Sequence, residues 1–580
     1  MMDYKVRLAF FRLLYILFVA AVAGTVYFLP DCFTDRYFTS GQLWVCGCAG
    51  VAGVAAALGG RLRCSRLGAV VGVALFAGWG YGFAAGYLGG QALACGVSLW
   101  LALLVAEGSA GKVSYRDVYF VVALSLGVEA AVGLGQFAGW WHSGSSFRVT
   151  GTFDNPAGLA AYAAVCFPCA LHFLRSPRWG ARAYGGAVAL LAVAAVVASG
   201  SRAGMAALAA AGVLWGWQAW GRQARRARWW LAGMAVAGIL AGVWLYHWKK
   251  DSADGRLLVW RCTWEMMADA PVAGHAPGSF QAKYMGYQAA FLERHAGGRQ
   301  GWLADNVKHP FNEYLKVGAE CGIAGLAALA VVLWWLWRRW RRSCGERQPL
   351  FLGVAGVAVC GLFSYPLNYP GVVAVLFLLL GLTGREERGV RLRGWGWRAL
   401  FALLSLGLVA FAGYWGKQEA RWQQLSRQAL RGGFGEAEAG YRELYPFLRE
   451  NPLFLYNYGA ELHHAGKWGE AAAVLEECAE GLDDTDVQML LGNACEQSGD
   501  DEGAEGHFRQ AAMMCPVRFM PLYRLVRLYE RTGRQEEALR LAGELVEKPV
   551  KVPSYAVEKI KRECRELLEK GTEKGDALRR

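Results

Sequence analysis

VYFVVALSLGVEAAVGLGQFA, residues 118–138, is a run of twenty-one residues with one acidic or basic side chain, Glu129. A bilayer core needs about 20 apolar residues per helix, so the run reads as a membrane span. Working outward, comparable runs recur at 8–29, 42–58, 68–87, 91–106, 156–174, 184–199, 203–220, 229–246, 322–337, 350–366, 371–383 and 399–415. Counting the first, the pattern predicts about thirteen spans. The chain is 55% hydrophobic with 25 Trp among 580 residues, which sets lipid as the solvent for much of it. The expected fold class is therefore all-α, a polytopic transmembrane helical bundle.

The net charge of +14 invites a nucleic-acid reading, but its distribution argues against one. From Lys417 onward 24 Lys and Arg stand against 29 Asp and Glu, so that part carries −5 and residues 1–416 carry +19. The excess sits in short loops between apolar runs, where it is an orientation signal. Alternate loops hold Arg61/Arg63/Arg66, Lys112/Arg116, Arg175/Arg178/Arg182, Arg222/Arg225/Arg226/Arg228, Arg338/Arg339/Arg341/Arg342 and Arg385/Arg388/Arg391/Arg393. These are expected to be cytoplasmic, with the N-terminus inside. The intervening connections hold isolated cations such as Arg36, Arg148 and Arg202, and parity puts the long segment 247–321 and everything after Trp415 outside.

Residues 417–580 carry an internal repeat. Gly432, Gly466, Gly499 and Gly533 recur at intervals of 34, 33 and 34 residues, and Ala437, Ala471, Ala504 and Ala538 follow each by five. A glycine closes the turn between two helices, and the small alanine lets the second pack closely on the first. Pro452 and Pro516 start new units, where a helix accepts a residue lacking N–H. Stacked pairs of this length resemble tetratricopeptide repeats, so residues 417–580 are expected to form an α-solenoid offering a surface to a protein partner, and to fold alone from about Glu419.

The fifteen Cys show no disulfide framework or metal spacing. Cys166 and Cys169, at redox-motif spacing, lie among Ala, Val, Phe and Leu and read as packing. Segment 247–321 exceeds what a connector needs, and Trp260, Trp264, Phe280, Tyr284, Tyr287, Phe291 and Trp302 argue that it is ordered.

The ordered set Arg148-Val-Thr-Gly-Thr-Phe-Asp-Asn-Pro-Ala-Gly, Ser199-Gly-Ser-Arg-Ala-Gly, Arg256-Leu-Leu-Val-Trp260 with Pro271-Val-Ala-Gly, His309-Pro-Phe-Asn-Glu-Tyr-Leu and Glu320-Cys-Gly-Ile-Ala-Gly325 resembles the O-antigen ligase and polymerase superfamily. The likeness spans most of residues 118–382. It implies a glycosyltransferase-C-like membrane domain over residues 1–416, with segment 247–321 as its large exterior loop. It implies a bacterial enzyme of the cytoplasmic (inner) membrane that moves a glycan from an undecaprenyl diphosphate donor to a glycolipid or protein hydroxyl, with the repeats periplasmic. In many such ligases the fourth piece reads His-Ser-His-Asn; here Phe311 holds the place of the second histidine and His309 stands two residues earlier.

The residue chemistry fits that reaction. Arg202 and Arg256, with Arg148 and Arg261 as weaker candidates, suit a diphosphate, because guanidinium stays charged and binds phosphate bidentately. The bland reading has them reach to lipid headgroups. His309 is the candidate base, Asn312 a substrate contact and Glu320 a residue that orients substrate or His309. His247, His275 and His295 read as surface or loop histidines. Glu129, an acid inside a span, reads as functional or as facing a wet cavity. Asp251 and Asp254 are the nearest approach to a metal-binding pair, and the expectation is metal-independent transfer with no cofactor and no nucleic acid. Three alternatives stay open: a repeat-unit polymerase, a protein O-oligosaccharyltransferase, and a non-catalytic assembly scaffold.

Overall fold

A computed structural model describes residues 2–109, 112–220, 250–295, 299–343, 345–385 and 389–579. The expected span 229–246, the cluster Arg222 to Arg228, Arg388 and His247 lie outside the described residues. The described chain is overwhelmingly helical and divides into two compact units. The first comprises Met1–Trp248, Phe311–Val317 and Ile323–Gln424; the second comprises Lys249–Pro310, Gly318–Gly322 and Leu425–Arg580.

The first unit holds α1 (Met2–Ala23), α2 (Thr39–Leu58), α3 (Arg66–Ala84), α4 (Gly90–Gly108), α5 (Tyr115–Ala138), α6 (Pro156–Phe173), α7 (Trp179–Ser199) and α8 (Arg202–Trp220). Among the described residues nine helices of the chain are long and apolar enough to cross a membrane. Burial separates centre from rim: 83% of the apolar window of α6 is buried, against 22% for α3. Small residues explain the crowding around α6. A Cβ on Gly204 would lie 2.5 Å from Cβ of Ala160, one on Gly185 2.6 Å from the Ala170 carbonyl, and one on Gly356 2.4 Å from the Ala164 carbonyl. Backbones that close leave room for glycine alone, the usual device where no hydrophobic effect drives helices together.

The basic loops gather at one end of this unit. Strand β1 (Arg63–Ser65) pairs antiparallel with β2 (Gly389–Arg391), placing Arg63 opposite Arg391. Arg385 donates to the Ser109 and Val113 carbonyls at 2.9 and 2.7 Å, Arg12 to the Lys112 carbonyl at 2.8 Å, and Arg175 to Gln348. Residues 31–38, 139–155 and 361–370 meet at the opposite, distal end, where Tyr37 lies against Gly144 and Asn155 against Tyr365. The loops sorted by charge in the sequence are thus sorted by end in the fold.

In the second unit α9 (Lys250–Asp269), α10 (Phe280–Arg294) and α11 (Arg299–Leu303) precede the chain's passage through α12 (Glu313–Arg342). The first unit then takes α13 (Gln348–Cys360), α14 (Pro370–Gly384) and most of α15 (Trp395–Gln428). The apolar run 350–366 is helical only to Cys360, and the chain turns at Gly361–Tyr369 toward the distal cluster.

The remaining helices are α16 (Phe434–Leu448), α17 (Pro452–His464), α18 (Trp468–Gly481), α19 (Thr485–Ser498), α20 (Asp501–Met514), α21 (Met520–Arg531), α22 (Gln535–Glu547) and α23 (Tyr555–Arg579). The four aligned glycines take φ of 86°, 77°, 85° and 77° in the turns between paired helices, a region that favours glycine. Ala437, Ala471, Ala504 and Ala538 are each fully buried.

The end of α20 shares a core with the segment expected to be the large exterior loop of the membrane domain. Leu258, Cys262, Met266, Phe280, Tyr284 and Leu292 pack in one cluster with Met514 and Cys515. Gln288 donates to the Met514 carbonyl at 2.8 Å, Asn306 to Asp486 at 3.0 Å, and the Asp483 N–H to the Gln281 carbonyl at 3.3 Å. Residues 249–310 and 425–580 thus belong to one compact unit, in which the later repeat helices also pack a core of their own around Phe508, Leu525, Tyr529, Leu541 and Cys564.

Candidate functional site

At the distal end of the first unit, α5 holds the segment 149–153 through two side chains seven residues apart, two turns along one face. Glu129 accepts from the Thr152 N–H at 2.7 Å and the Thr152 hydroxyl at 3.0 Å. Gln136 accepts from the N–H groups of Thr150 and Gly151 at 2.9 and 2.8 Å and donates to the Gly151 carbonyl at 2.8 Å. Gly151 is at φ 65°, and a Cβ there would fall 1.9 Å from a Glu129 carboxylate oxygen. Both oxygens of Glu129 are therefore engaged in shaping the loop, which is the structural reason for an acid inside this span.

The loop delivers Asn155 to the start of α6, where every hydrogen-bonding position of its amide is used. Its Oδ1 accepts from the Ala157 N–H at 2.7 Å and the Tyr369 hydroxyl at 3.1 Å; its Nδ2 donates to Tyr365 Oη at 2.9 Å and Asp154 Oδ2 at 3.2 Å. Pro156 occupies the first helical position, where its missing N–H costs nothing. Tyr369 is 2% exposed and stacks between Tyr365 and Phe38, with Phe153 edge-on. Asp154 turns its other oxygen, Oδ1, into buried space with no partner among the described residues. Burial pushes the Asp154 carboxyl up, and the nearby Asp35 adds to the shift.

The motif around Asn312 joins the same cluster. Phe311 takes φ 53°, costly for a residue with a Cβ, and its ring meets Tyr365 at 5.6 Å. Asn312 caps α12, accepting from the N–H groups of Tyr314 and Leu315 at 2.9 and 3.0 Å, while its Nδ2 donates to the Leu362 carbonyl at 3.1 Å. The Glu313 carboxylate accepts from the Leu367 N–H at 2.8 Å. Asn312 thus ties the start of α12 to the turn 361–368.

Arg202 opens α8 at this end, after Gly200 closes α7 at φ 67°, and Gly204 sets its helix against Ala160 of α6. Arg148 is exposed and donates to the Phe137 carbonyl at 2.6 Å.

The second unit holds Arg256, His309 and Glu320. Trp260 donates its indole N–H to the Pro310 carbonyl at 3.0 Å, so the face of α9 that carries Trp260 and, one turn earlier, Arg256 meets the segment bearing His309. Glu320 lies where two backbones cross. The His275 N–H donates to the Ala319 carbonyl at 2.9 Å, and a Cβ on Gly274 would lie 2.3 Å from the Glu320 carbonyl carbon. A Cβ on Gly322 would lie 2.3 Å from the Val272 carbonyl oxygen, and Gly322 kinks α12 at φ 61°, ψ −160°. His275 is engaged by the Met266 carbonyl and Lys283. Asp251 and Asp254 both pair with Arg299, and among the described residues no group of three His, Cys, Asp or Glu gathers as metal ligands.

Arg148, Arg202 and Asn312 therefore stand in one unit and Arg256, His309 and Glu320 in the other. Asp154 and Asn155 stood in the motif that opens at Arg148 without a role of their own, and Tyr365 and Tyr369 were not singled out in the sequence. Asp-Asn-Pro resembles any turn into a helix, and the two tyrosines resemble interfacial aromatics.

Comparison with known families adds one match: the family model described as O-antigen ligase covers residues 187–330. No curated protein matches the chain. The chain is thus a multi-pass membrane protein with a region similar to O-antigen ligases, which supports a role in membrane glycan transfer.

Proposed function

We propose that the protein is a membrane glycosyltransferase that moves a glycan from an undecaprenyl diphosphate donor to an acceptor hydroxyl outside the cytoplasmic membrane. The observation that carries the reading is the extent of the family match: residues 187–330 include Arg202, Arg256, His309, Asn312 and Glu320. In this reading the acceptor oxygen attacks the anomeric carbon as the bond from that carbon to the diphosphate oxygen breaks. His309 takes the acceptor proton, Glu320 helps to position His309 or substrate, and Arg202 and Arg256 receive the diphosphate charge. Arg148, tied to the Phe137 carbonyl, is the weaker phosphate ligand. The basic end faces the cytoplasm, and the tetratricopeptide-like repeats lie in the periplasm, available to a protein partner.

The test is transfer from a lipid-linked donor by purified protein. His309→Ala should lower turnover about 10²–10⁴-fold while donor binding is kept. Arg202→Ala and Arg256→Ala should weaken donor capture, with Lys restoring part of it because it supplies charge without the planar fork. Full transfer by His309→Ala at normal abundance would remove His309 from the reaction. In a deletion strain, long carrier-linked chains mark a lost ligase, single units a lost polymerase and unmodified proteins a lost protein transferase.

A further inference from the structure

The basic end of the first unit carries a cavity that the proposed transfer does not use. Between α1 and α2 a 250 Å³ cavity is lined by Phe11, Leu14, Phe18, Ala52 and Ala55 and closed by Arg61. Leu14, Phe18, Ala52 and Ala55 also line a 630 Å³ groove that continues between α1, α2 and α15 as far as Trp44 and Gly416. The walls are almost wholly apolar along this length, and the mouth is cationic. The Arg61 guanidinium lies 3.7 Å from the Phe11 ring centroid and Lys112 Nζ lies 5.2 Å from the same centroid. Burial holds the Arg61 and Lys112 pKa values down, and Arg61, Arg393 and Arg391 lower that of Lys112 further. Like charges this close repel one another in a partly dehydrated site unless an anion joins them. None of Arg61, Lys112, Arg391 and Arg393 makes an ion pair among the described residues. Glu107, on the neighbouring α4, is committed to the Ser65 N–H and hydroxyl.

We propose that this cleft is a binding site for an anionic phospholipid. One acyl chain lies along Leu14, Phe18, Ala52 and Ala55 toward Trp44, and the phosphate is held by Arg61 and Lys112 with Arg391 and Arg393 at the rim. A zwitterionic lipid offers the same chains but brings its own cation to the cluster, so the site discriminates by headgroup charge. Cationic pockets between spans select acidic headgroups in this way, each cation contributing about 1 kcal/mol near a charged surface. The site is independent of the transfer reaction and of its proposed residues.

The experiment uses the full chain in nanodiscs or detergent, titrated with dioleoyl phosphatidylglycerol and with dioleoyl phosphatidylcholine, retained lipids being counted by native mass spectrometry. The expected result is one tightly retained phosphatidylglycerol and no equivalent phosphatidylcholine. Arg61→Ala with Lys112→Ala should weaken retention about 25-fold, about fivefold per cation. Ala55→Phe, which blocks the channel and keeps the charges, should also release the lipid, whereas the remote Arg178→Ala should not. Equal retention of both lipids, or loss with the charge variants but not with Ala55→Phe, would overturn the proposal. Displacement of the lipid by inorganic phosphate alone, or a second copy of the chain cross-linked through α1, would also overturn it. If the variants fail to fold, a photoactivatable phosphatidylglycerol on the wild-type protein must label α1 or α2, and labelling elsewhere alone refutes the site.

Discussion

Replacing Asn155 by Ala tests whether the distal cluster is held by one amide. The substitution removes the cap on the Ala157 N–H, and losing such a cap costs about 1 kcal/mol. It also strands the Tyr369 hydroxyl at a residue only 2% exposed, an unpaired buried group costing about 1–3 kcal/mol. The sum, about 2–4 kcal/mol, should lower the apparent melting midpoint of the purified protein by several degrees at a fixed scan rate. Asn155→Asp keeps the accepting oxygen for Ala157 and Tyr369 but loses both donations, to Tyr365 and to Asp154, and sets a carboxylate beside Asp154. It should retain the cap and still be destabilised at neutral pH. Glycan transfer by Asn155→Ala should fall with the order of the cluster even below the melting range. An Asn155→Ala protein with wild-type melting and wild-type transfer would show that the tyrosines are held by packing alone and that the four-bond argument is wrong.

Gly322→Ala places a Cβ 2.3 Å from the Val272 carbonyl in a backbone conformation that only glycine adopts freely, and should cost upward of about 3 kcal/mol, read as loss of folded protein. Burial raises the Asp483 carboxyl from 3.8 to about 6, so the stability it contributes is complete below about 3.8 and lost as pH rises through about 6. Asp483→Asn should therefore melt above wild type at pH 8, with the difference vanishing near pH 4; a constant difference would refute the linkage. Residues 425–580 expressed alone leave Met514 and Cys515 uncovered and should bind a hydrophobic dye or self-associate. Co-expressing residues 249–310 should reverse this, and a monomeric, dye-silent fragment would overturn the shared core.

Periodic features were legible in the sequence because their causes are local. The glycines at 432, 466, 499 and 533 sit in turns of nearly one φ, and the alanine five residues on is buried each time. The basic loops announced which ends of the helices go together. What the sequence hid was pairing at a distance. Gln288 looks like any polar residue on a helix, yet it bonds a carbonyl 226 residues away. Glu129 reads as functional or as facing a wet cavity on the cost of burial, because the compensating Thr152 donors lie 23 residues on, in another element. Asn312 was legible as part of a motif, but its amide donation to the Leu362 carbonyl depends on where the 361–368 turn returns.

The shared core of the second unit sets an order on assembly. Gln288 leaves the ribosome 226 residues before Met514, which at about 5–20 residues per second is roughly 10–45 s. For most of that interval the apolar face of α10, with Phe280, Tyr284 and Leu292, has no repeat helix to cover it, while the later spans must still insert. The second unit closes only when the end of the chain arrives. A stalled or truncated chain is left with an uncovered apolar face, a state that a protease or holdase can distinguish from the finished protein.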